Sequence, residues 1–395
     1  MLSCVLHAAL WTNHERRCAN CFGVTVCESP ANRVSWVAPS KRLTCRNAAL
    51  IVIDGLYIAG AQRHVLHLMR VFRDCGYGSI ILCLEGGGRW AEQFLLDADQ
   101  VVVASSPIDW HDFASVAVAS DVSFISAHLV SGVDWMARHS PSSVRRYGHL
   151  HSAPSPHEMI TSEWLRESVP HCTSLFVPSR ETELAIRKAA GSIAGMTIAV
   201  LPNGLSRSVP PRRSRRRQSS RPDSRICIAV VSRIDEDKFS IDLFIATLRL
   251  LSSTHTIICR VAGSGELFDK LASEIAQQRW TSVKVELLGF LDEPTALYHW
   301  ADVLFLPSIR ESMPYAALEA LTAGCPVVAP NLGFLRDSSP SGIVRFAEGN
   351  AEAAAFAIHS INGRDVLEIP GSSQLESRIP TSEEWVKLIK EAYEL

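Results

Sequence analysis

Two glutamates eight positions apart frame the segment Glu311-Ser-Met-Pro-Tyr-Ala-Ala-Leu-Glu319, which runs on into Ala323-Gly324-Cys325-Pro326-Val327-Val328. Pro314 suits the first turn of a helix, where its missing N–H costs nothing, and Gly324 suits the stop. The spacing predicts a helix from about Pro314 to Ala323, entered through Ser312, Met313, Pro314 and Tyr315. Backbone N–H groups at such an N-terminus, at the top of a parallel sheet, suit an anion such as a diphosphate. Glu311, in the loop before the helix, can accept hydrogen bonds from sugar hydroxyls. Glu319, near the start of the helix, can accept from ribose hydroxyls. Glutamates at this spacing are also ordinary surface carboxylates. The Pro307-Ser308 turn before them and the Ala-Gly-x-Pro-Val-Val after them make the combination specific.

Other residues carry weaker signals. Arg233 and Lys238 follow an apolar run, Ile226–Val231, so two cations stand just past a strand end. Gly263-Ser-Gly265 follows a second such run. His149 and His151 close a third, on one face by strand alternation; a histidine packed at a strand end is the plainer reading of either. Asp235-Glu236-Asp237 spells a metal-binding Asp-x-Asp, but such triplets are common by chance. Cys18-x-x-Cys21 has no matching Cys/His pair at zinc-finger distance. No metal is expected.

The chain has 395 residues, enough for two cores. With 47% hydrophobic and 20% charged residues, it reads as globular, and a net charge of −2 does not point to nucleic acid. Residues 207–225 hold eight Arg against one Asp. We read this run as a solvated interdomain loop; the alternative is contact with anionic lipid headgroups or a polyanionic acceptor. Eleven scattered Cys argue for reduced thiols. No stretch reaches the roughly 18 apolar residues of a membrane span, and the opening MLSCVLHAALW is a poor signal peptide. A cytoplasmic protein, peripheral to the membrane if the Arg run binds lipid, is the expectation.

To position these residues, apolar runs of strand length alternate with segments of helical spacing. Strands are expected at Ala48–Asp54, Ile80–Leu84, Val101–Ala104, Val122–Ser126, Val144–Leu150, Leu175–Val177 and Thr197–Leu201, with helices at Ala61–Cys75 and Arg180–Ala190. After an Arg/Pro/Ser linker at 206–224, strands recur at Ile226–Val231, Ile257–Ala262, Val283–Leu288, Val303–Leu306 and Pro326–Ala329, with helices at Ile241–Leu251, Glu266–Gln278 and Glu383–Glu394. Such alternation implies α/β architecture with parallel sheets. The expected organisation is an extension at 1–46 outside the fold, a first domain at 47–205, a second at 225–365, and a tail with a helix at 366–395. Doubly wound domains bind ligands at the carboxyl ends of their strands; if those ends face each other, the site is a cleft between domains.

The Glu311 to Glu319 segment resembles the Glu-x7-Glu motif of retaining glycosyltransferases of the GT-B type, family 4 in particular (glycosyl transferases group 1). Ser232-Arg233-Ile-Asp-Glu-Asp-Lys238-Phe239 resembles the family's Gly-Arg-Leu…Lys-Gly segment, with Ser232 and Phe239 in place of glycines. The resemblance implies that Arg233 and Lys238 bind the diphosphate of a nucleotide-sugar donor, UDP- or GDP-linked, and that Glu311 acts at the transferring sugar. It implies that Gly263 and Gly265 let the nucleotide approach the backbone. Ile58-Ala59-Gly60-Ala61-Gln62-Arg63 resembles the family's Gly-Gly-Ala-Glu-Arg loop, assigning Gly60 to the donor site. The family's histidine near the sugar maps to His149 or His151, of which we prefer His151, nearer the strand's tip. Gly333 stands where the family often has paired glycines. Tyr298-x-x-Ala-Asp-Val303 also matches, and reads as packing and capping. The implied activity is sugar transfer to a carbohydrate, lipid-linked or small-molecule acceptor, with retention and without a metal or cofactor. Alternatives are a non-catalytic nucleotide- or carbohydrate-binding protein of this fold, or a nucleotide-sugar epimerase.

Overall fold

The computed structural model describes residues 34–38, 47–57, 59–85, 94, 97–104, 107–116, 122–152, 160–191, 197–207, 225–333, 341–361 and 380–395. The chain divides into two compact units, one of residues 1–206 with 383–395, the other of residues 207–382. Most of the Arg run and the pair Cys18 and Cys21 lie outside the described residues.

In the first unit the elements follow as β1 (Val34–Ala38), β2 (Ala48–Ile53), α1 (Gly60–Asp74), β3 (Gly78–Cys83), β4 (Gln100–Ala104), α2 (Trp110–Val116), β5 (Val122–His128), α3 (Leu129–His139), β6 (Arg145–His149), α4 (Ser162–Ser168), β7 (Ser174–Val177), α5 (Arg180–Ala190) and β8 (Ile198–Val200). The sheet order is β1-β4-β3-β2-β5-β6-β7-β8. Every pair is parallel except β1 with β4. All six residues of β2 are buried, as a central strand covered on both faces requires. Helix α1 buries Ala61, Val65, Leu68, Met69 and Phe72 at helical spacing. Helix α3 lies so close to β2 that a Cβ on Gly132 would come within 2.7 Å of the Val52 carbonyl oxygen. Strand β1 corrects the expectation that residues 1–46 lie outside the fold: Val34–Ala38 pairs antiparallel with β4 at the sheet edge. Its Val-Ser-Trp-Val-Ala composition favours a strand, but five residues are too short a pattern to stand out.

The second unit contains β9 (Arg225–Val231), α6 (Ile241–Leu251), β10 (Thr256–Ala262), α7 (Phe268–Gln277), β11 (Val283–Gly289), α8 (Thr295–Trp300), β12 (Val303–Phe305), α9 (Tyr315–Thr322), β13 (Val327–Pro330), β14 (Ile343–Phe346) and α10 (Ala351–Ile361). Its all-parallel sheet runs β11-β10-β9-β12-β13-β14. The chain winds outward one way from β9 and then restarts beside it at β12. The loops after these two strands therefore diverge from a topological switch point, where open α/β sheets take their ligands.

The last helix, α11 (Ser382–Tyr393), belongs to the first unit. Trp385 and Tyr393 are fully buried there. The Trp385 indole N–H donates to the Pro202 carbonyl at 2.8 Å, and Gly204 leaves no room for a Cβ against the Trp385 ring. The tail helix is thus a layer of the first domain, anchored against the segment by which the chain leaves it. Among the described residues, Cys75, Cys83, Cys172, Cys227, Cys259 and Cys325 are free thiols, and no helix is long and apolar enough to cross a membrane.

Candidate functional site

At the switch point of the second unit the loops after β9 and β12 bind each other. Phe239 and Ser308 form an antiparallel bridge, the Ser240 N–H donates to the Pro307 carbonyl at 2.9 Å, and the Ile309 N–H donates to the Lys238 carbonyl at 3.0 Å. Phe239, in place of the expected glycine, packs into the core against Phe244. This cross-bridge sets Lys238 Nζ 2.6 Å from Glu311 Oε2, while the Ser308 hydroxyl donates to Glu311 Oε1 at 2.9 Å. The Glu311 side chain is 3% exposed and that of Lys238 24%. An ion pair this buried gains from low dielectric but pays desolvation, so it positions the groups more than it stabilises them.

Arg233 is also engaged. Its guanidinium reaches Asp235 at 2.8 Å and Asp237 at 3.6 Å. The Asp-x-Asp triplet is therefore the counter-charge of Arg233 within its own loop. Among the described residues no cluster of three or more His, Cys, Asp or Glu could hold a metal ion.

Gly263 and Gly265 make room for a neighbouring loop. A Cβ on Gly263 would meet the Ser232 carbonyl oxygen at 1.9 Å, and one on Gly265 would meet Asp235 Oδ1 at 2.0 Å and the Ile234 carbonyl oxygen at 2.5 Å. The space freed by both glycines is filled by the chain's own Arg233 loop. They let two loops close on each other, with Ile234 N–H donating to the Ser264 carbonyl at 3.0 Å. Gly333 does the same on the other side: at φ 53° its added Cβ would meet the Glu311 carbonyl oxygen at 2.1 Å.

Helix α9 starts one residue later than expected. Pro314 is its N-cap in extended conformation (φ −72°, ψ 126°), and Tyr315 is its first residue. Met313 and Tyr315 turn their side chains inward, while Ser312 and Pro314 stay half-buried. The helix stops as read: Gly324 at φ 80° bonds to Leu321, and Cys325 N–H reaches back to the Ala320 carbonyl at 2.7 Å. Glu319, 7% exposed, accepts a 3.0 Å hydrogen bond from the hydroxyl of Tyr298, which is fully buried on α8. Tyr298 is thus more than packing: it fixes the Glu319 carboxylate. Its place in the Tyr-x-x-Ala-Asp motif was the signal available.

In the first unit the strand ends carry a histidine cluster of which the sequence reading saw half. His149 ends β6 and is buried; His151, two residues on, is half-buried. His128 ends β5, and Leu129 follows it at φ 64°, a strained strand-to-helix turn. His128 stacks on His149 at 4.4 Å and on His151 at 5.4 Å between ring centroids, and His64 of α1 lies 5.1 Å from His151. Burial drives the His64, His128 and His149 pKa values well below the ordinary value, with mutual repulsion adding to it, and burial lowers that of His151 to about 4. The cluster is neutral near pH 7. Gly60 lies exposed at the start of α1. Nearby Gln62 is buried, donating to the Gly55 carbonyl at 2.8 Å and to Asp54 Oδ1 at 3.2 Å.

Residues 211–362 match the family model of glycosyl transferases group 1. An uncharacterized glycosyltransferase of Methanocaldococcus jannaschii is 34% identical over 124 residues, 31% of each chain. Glycogen synthase of Mycobacterium tuberculosis is 28% identical over 244 residues, 61% of this chain and 56% of that protein. The aligned stretches thus span less than two thirds of these relatives. Among solved structures, Anabaena HepE in complex with UDP and glucose superposes with a TM-score of 0.68 at 18% identity, covering 88% of this chain and 98% of that one. The resemblance to glycosyl transferases group 1 is borne out, and the fold is GT-B: two Rossmann-like domains.

Proposed function

We propose that the chain is a glycosyltransferase of group 1 that moves a sugar from a UDP- or GDP-linked donor to a carbohydrate or lipid-linked acceptor, with retention at the anomeric carbon. The observation that carries this reading is the Lys238 to Glu311 pair at the switch point, beside the Arg233 loop and the N-terminus of α9.

In this reading the donor diphosphate lies across Arg233, Lys238 and the first turn of α9. Glu311 holds the transferring sugar and Glu319, steadied by Tyr298, the ribose. As the bond from the anomeric carbon to the diphosphate oxygen breaks, negative charge grows on the leaving group, and cations already in place lower its cost. The acceptor oxygen attacks from the same face, and its proton passes to the departing phosphate oxygen. This reading calls for no carboxylate as a covalent nucleophile and no metal to neutralise the leaving group. The resemblance assigns His151 to the transferring sugar. The Arg run at 207–225 is the segment through which contact with an anionic membrane would be made.

The test is to incubate the purified chain with a panel of UDP- and GDP-sugars and follow both thermal stabilisation and nucleotide release. A donor that stabilises and turns over supports the reading. Stabilisation without turnover, across all donors and acceptors tried, would favour a nucleotide-binding protein of this fold.

A further inference from the structure

In the second unit the turn between α6 and β10 brings one histidine against another on α10. His255 ends that turn, in which the Thr254 and His255 N–H groups both donate to the Leu251 carbonyl, at 3.1 and 3.0 Å. The Ser252 carbonyl of the same turn accepts from the Ser282 hydroxyl at 2.9 Å. His359 lies in the last turn of α10. Its neighbours Ile358 and Ile361 are buried in one core with Leu248 and Leu251 of α6. The backbone under each imidazole is therefore held by contacts of its own. His359 Nδ1 stands 3.2 Å from His255 Nε2, with ring centroids 5.0 Å apart and planes at 65°. On the other side of the His255 ring, the Thr254 hydroxyl lies 2.7 Å from Nδ1.

Whichever ring donates, one proton lies between the two facing nitrogens. His359 is exposed and His255 half-buried, so water competes for that bond and it contributes little. A divalent ion in place of the proton would gain two coordinate bonds. Zinc binds imidazole nitrogen at about 2.0–2.1 Å, so two such ligands at a tetrahedral angle stand about 3.3–3.4 Å apart. The observed spacing of 3.2 Å is close to this, and small ring rotations admit the ion without moving the backbone. With Nε2 on the metal, His255 carries its proton on Nδ1, and that N–H meets the Thr254 hydroxyl. Such an outer hydrogen bond is what orients a ligating histidine.

We propose that His255 and His359 form a two-histidine site for a borderline divalent ion such as Zn²⁺, with Thr254 orienting His255 and water completing the coordination. Two imidazoles favour Zn²⁺, Ni²⁺ or Cu²⁺ over Mg²⁺ and Mn²⁺, which prefer oxygen. The ion clips the turn after α6 to the end of α10. His255 immediately precedes β10 in an all-parallel sheet, so the site lies at the amino ends of the strands. The loops bearing Arg233, Lys238 and Glu311 follow the carboxyl ends of β9 and β12. The ion is accordingly structural, and turnover does not depend on it.

The experiment uses the full untagged chain, stripped with chelator, kept reduced and titrated with Zn²⁺ by calorimetry at pH 7.5. Thiols also take zinc, so the difference between chains is the readout. Wild type should bind one equivalent more than H255A or H359A, and T254V should weaken that equivalent by about tenfold. Amide exchange followed by peptide should show zinc slowing exchange in the α6–β10 turn and the end of α10 in wild type but not in H359A, with Mg²⁺ slowing neither. Because His359 is exposed, H359A keeps the fold, which equal melting of the stripped chains verifies. Equal zinc stoichiometry in wild type and H359A, protection that persists in H359A, or equal protection by Mg²⁺ would overturn the proposal. Full affinity in T254V would remove Thr254 from it.

Discussion

Lys238 Nζ sits 2.6 Å from Glu311 Oε2, so the cation expected to meet a diphosphate is neutralised by the carboxylate expected to meet the sugar. Breaking the pair should therefore cost stability as well as activity. Lys238→Ala leaves Glu311 buried and charged. Loss of one partner from a fully buried pair costs roughly 3–5 kcal/mol, and about 2 kcal/mol is expected here because Lys238 keeps partial access to water. In a unit of this size that is a fall in Tm of about 4–8 °C. Arg233→Ala breaks only exposed pairs and should leave Tm within about 1 °C while removing most turnover. Thermal melts with and without nucleoside diphosphate check both. Near-normal turnover in the two variants would rule the cations out of the reaction.

Glu311 and Glu319 should fail differently. Contacts to the sugar strengthen as its bond to the diphosphate breaks, whereas contacts to the ribose stay constant. Glu311→Gln should lower kcat strongly with a modest change in KM. Glu319→Gln should raise donor KM and weaken nucleotide binding by about tenfold or more, the worth of one charged hydrogen bond at ~1.5–3 kcal/mol. Tyr298→Phe should follow Glu319→Gln at about two- to tenfold, through loss of the 3.0 Å hydrogen bond. Calorimetric titration of the nucleotide into all three variants separates them. A reversed order for the two glutamates would exchange their assignments.

Asp235 and Asp237 are tied to Arg233. Turnover should accordingly survive EDTA, and Asp237→Asn should not create or abolish a response to Mn²⁺ or Mg²⁺. Activity that vanishes with chelator and returns with either ion would contradict this.

How much of this could be read beforehand depends on the range over which each feature is encoded. The buried strands β2 and β9 are continuous apolar runs, and the stop of α9 is a single glycine, so local pattern was enough. The Lys238 to Glu311 contact joins residues 73 apart through a bridge between two loops, and no local pattern encodes it. Tyr393 meets Ser126 from 267 residues away, so the tail helix looked like an appendage. Neither His64 nor His128 sits in a motif; each becomes notable only once two strand ends and α1 converge. Gly263 and Gly265 are read from the motif as admitting a ligand, and the structure shows that they admit a neighbouring loop; the two uses look the same in one dimension.

The histidine cluster sets the acid limit of the first unit. A histidine whose folded pKa lies below its unfolded value of about 6.5 binds a proton in the unfolded chain first. Stability is then complete above about pH 6.5 and falls as pH drops toward the folded pKa. That pKa is about 4 for His151 and about 3 for His67, lowered by burial and, for His67, by Arg70 and Arg63. His64, His128 and His149 shift the same way. Asp54 acts oppositely: burial raises its pKa to about 6, so the folded state holds its proton more tightly below that value. One such group does not offset five. Each histidine contributes a slope of up to ~1.4 kcal/mol per pH unit between its unfolded and folded pKa values. Against a typical domain stability of ~5–15 kcal/mol, the first unit should unfold between about pH 6 and 4. Amide exchange followed by peptide should locate the loss in α1, β5, β6 and α11, with the second unit still protected at pH 5. Uniform protection of both units at that pH would mean that the cluster takes up its protons without cost, and that the histidines are less buried than their packing requires.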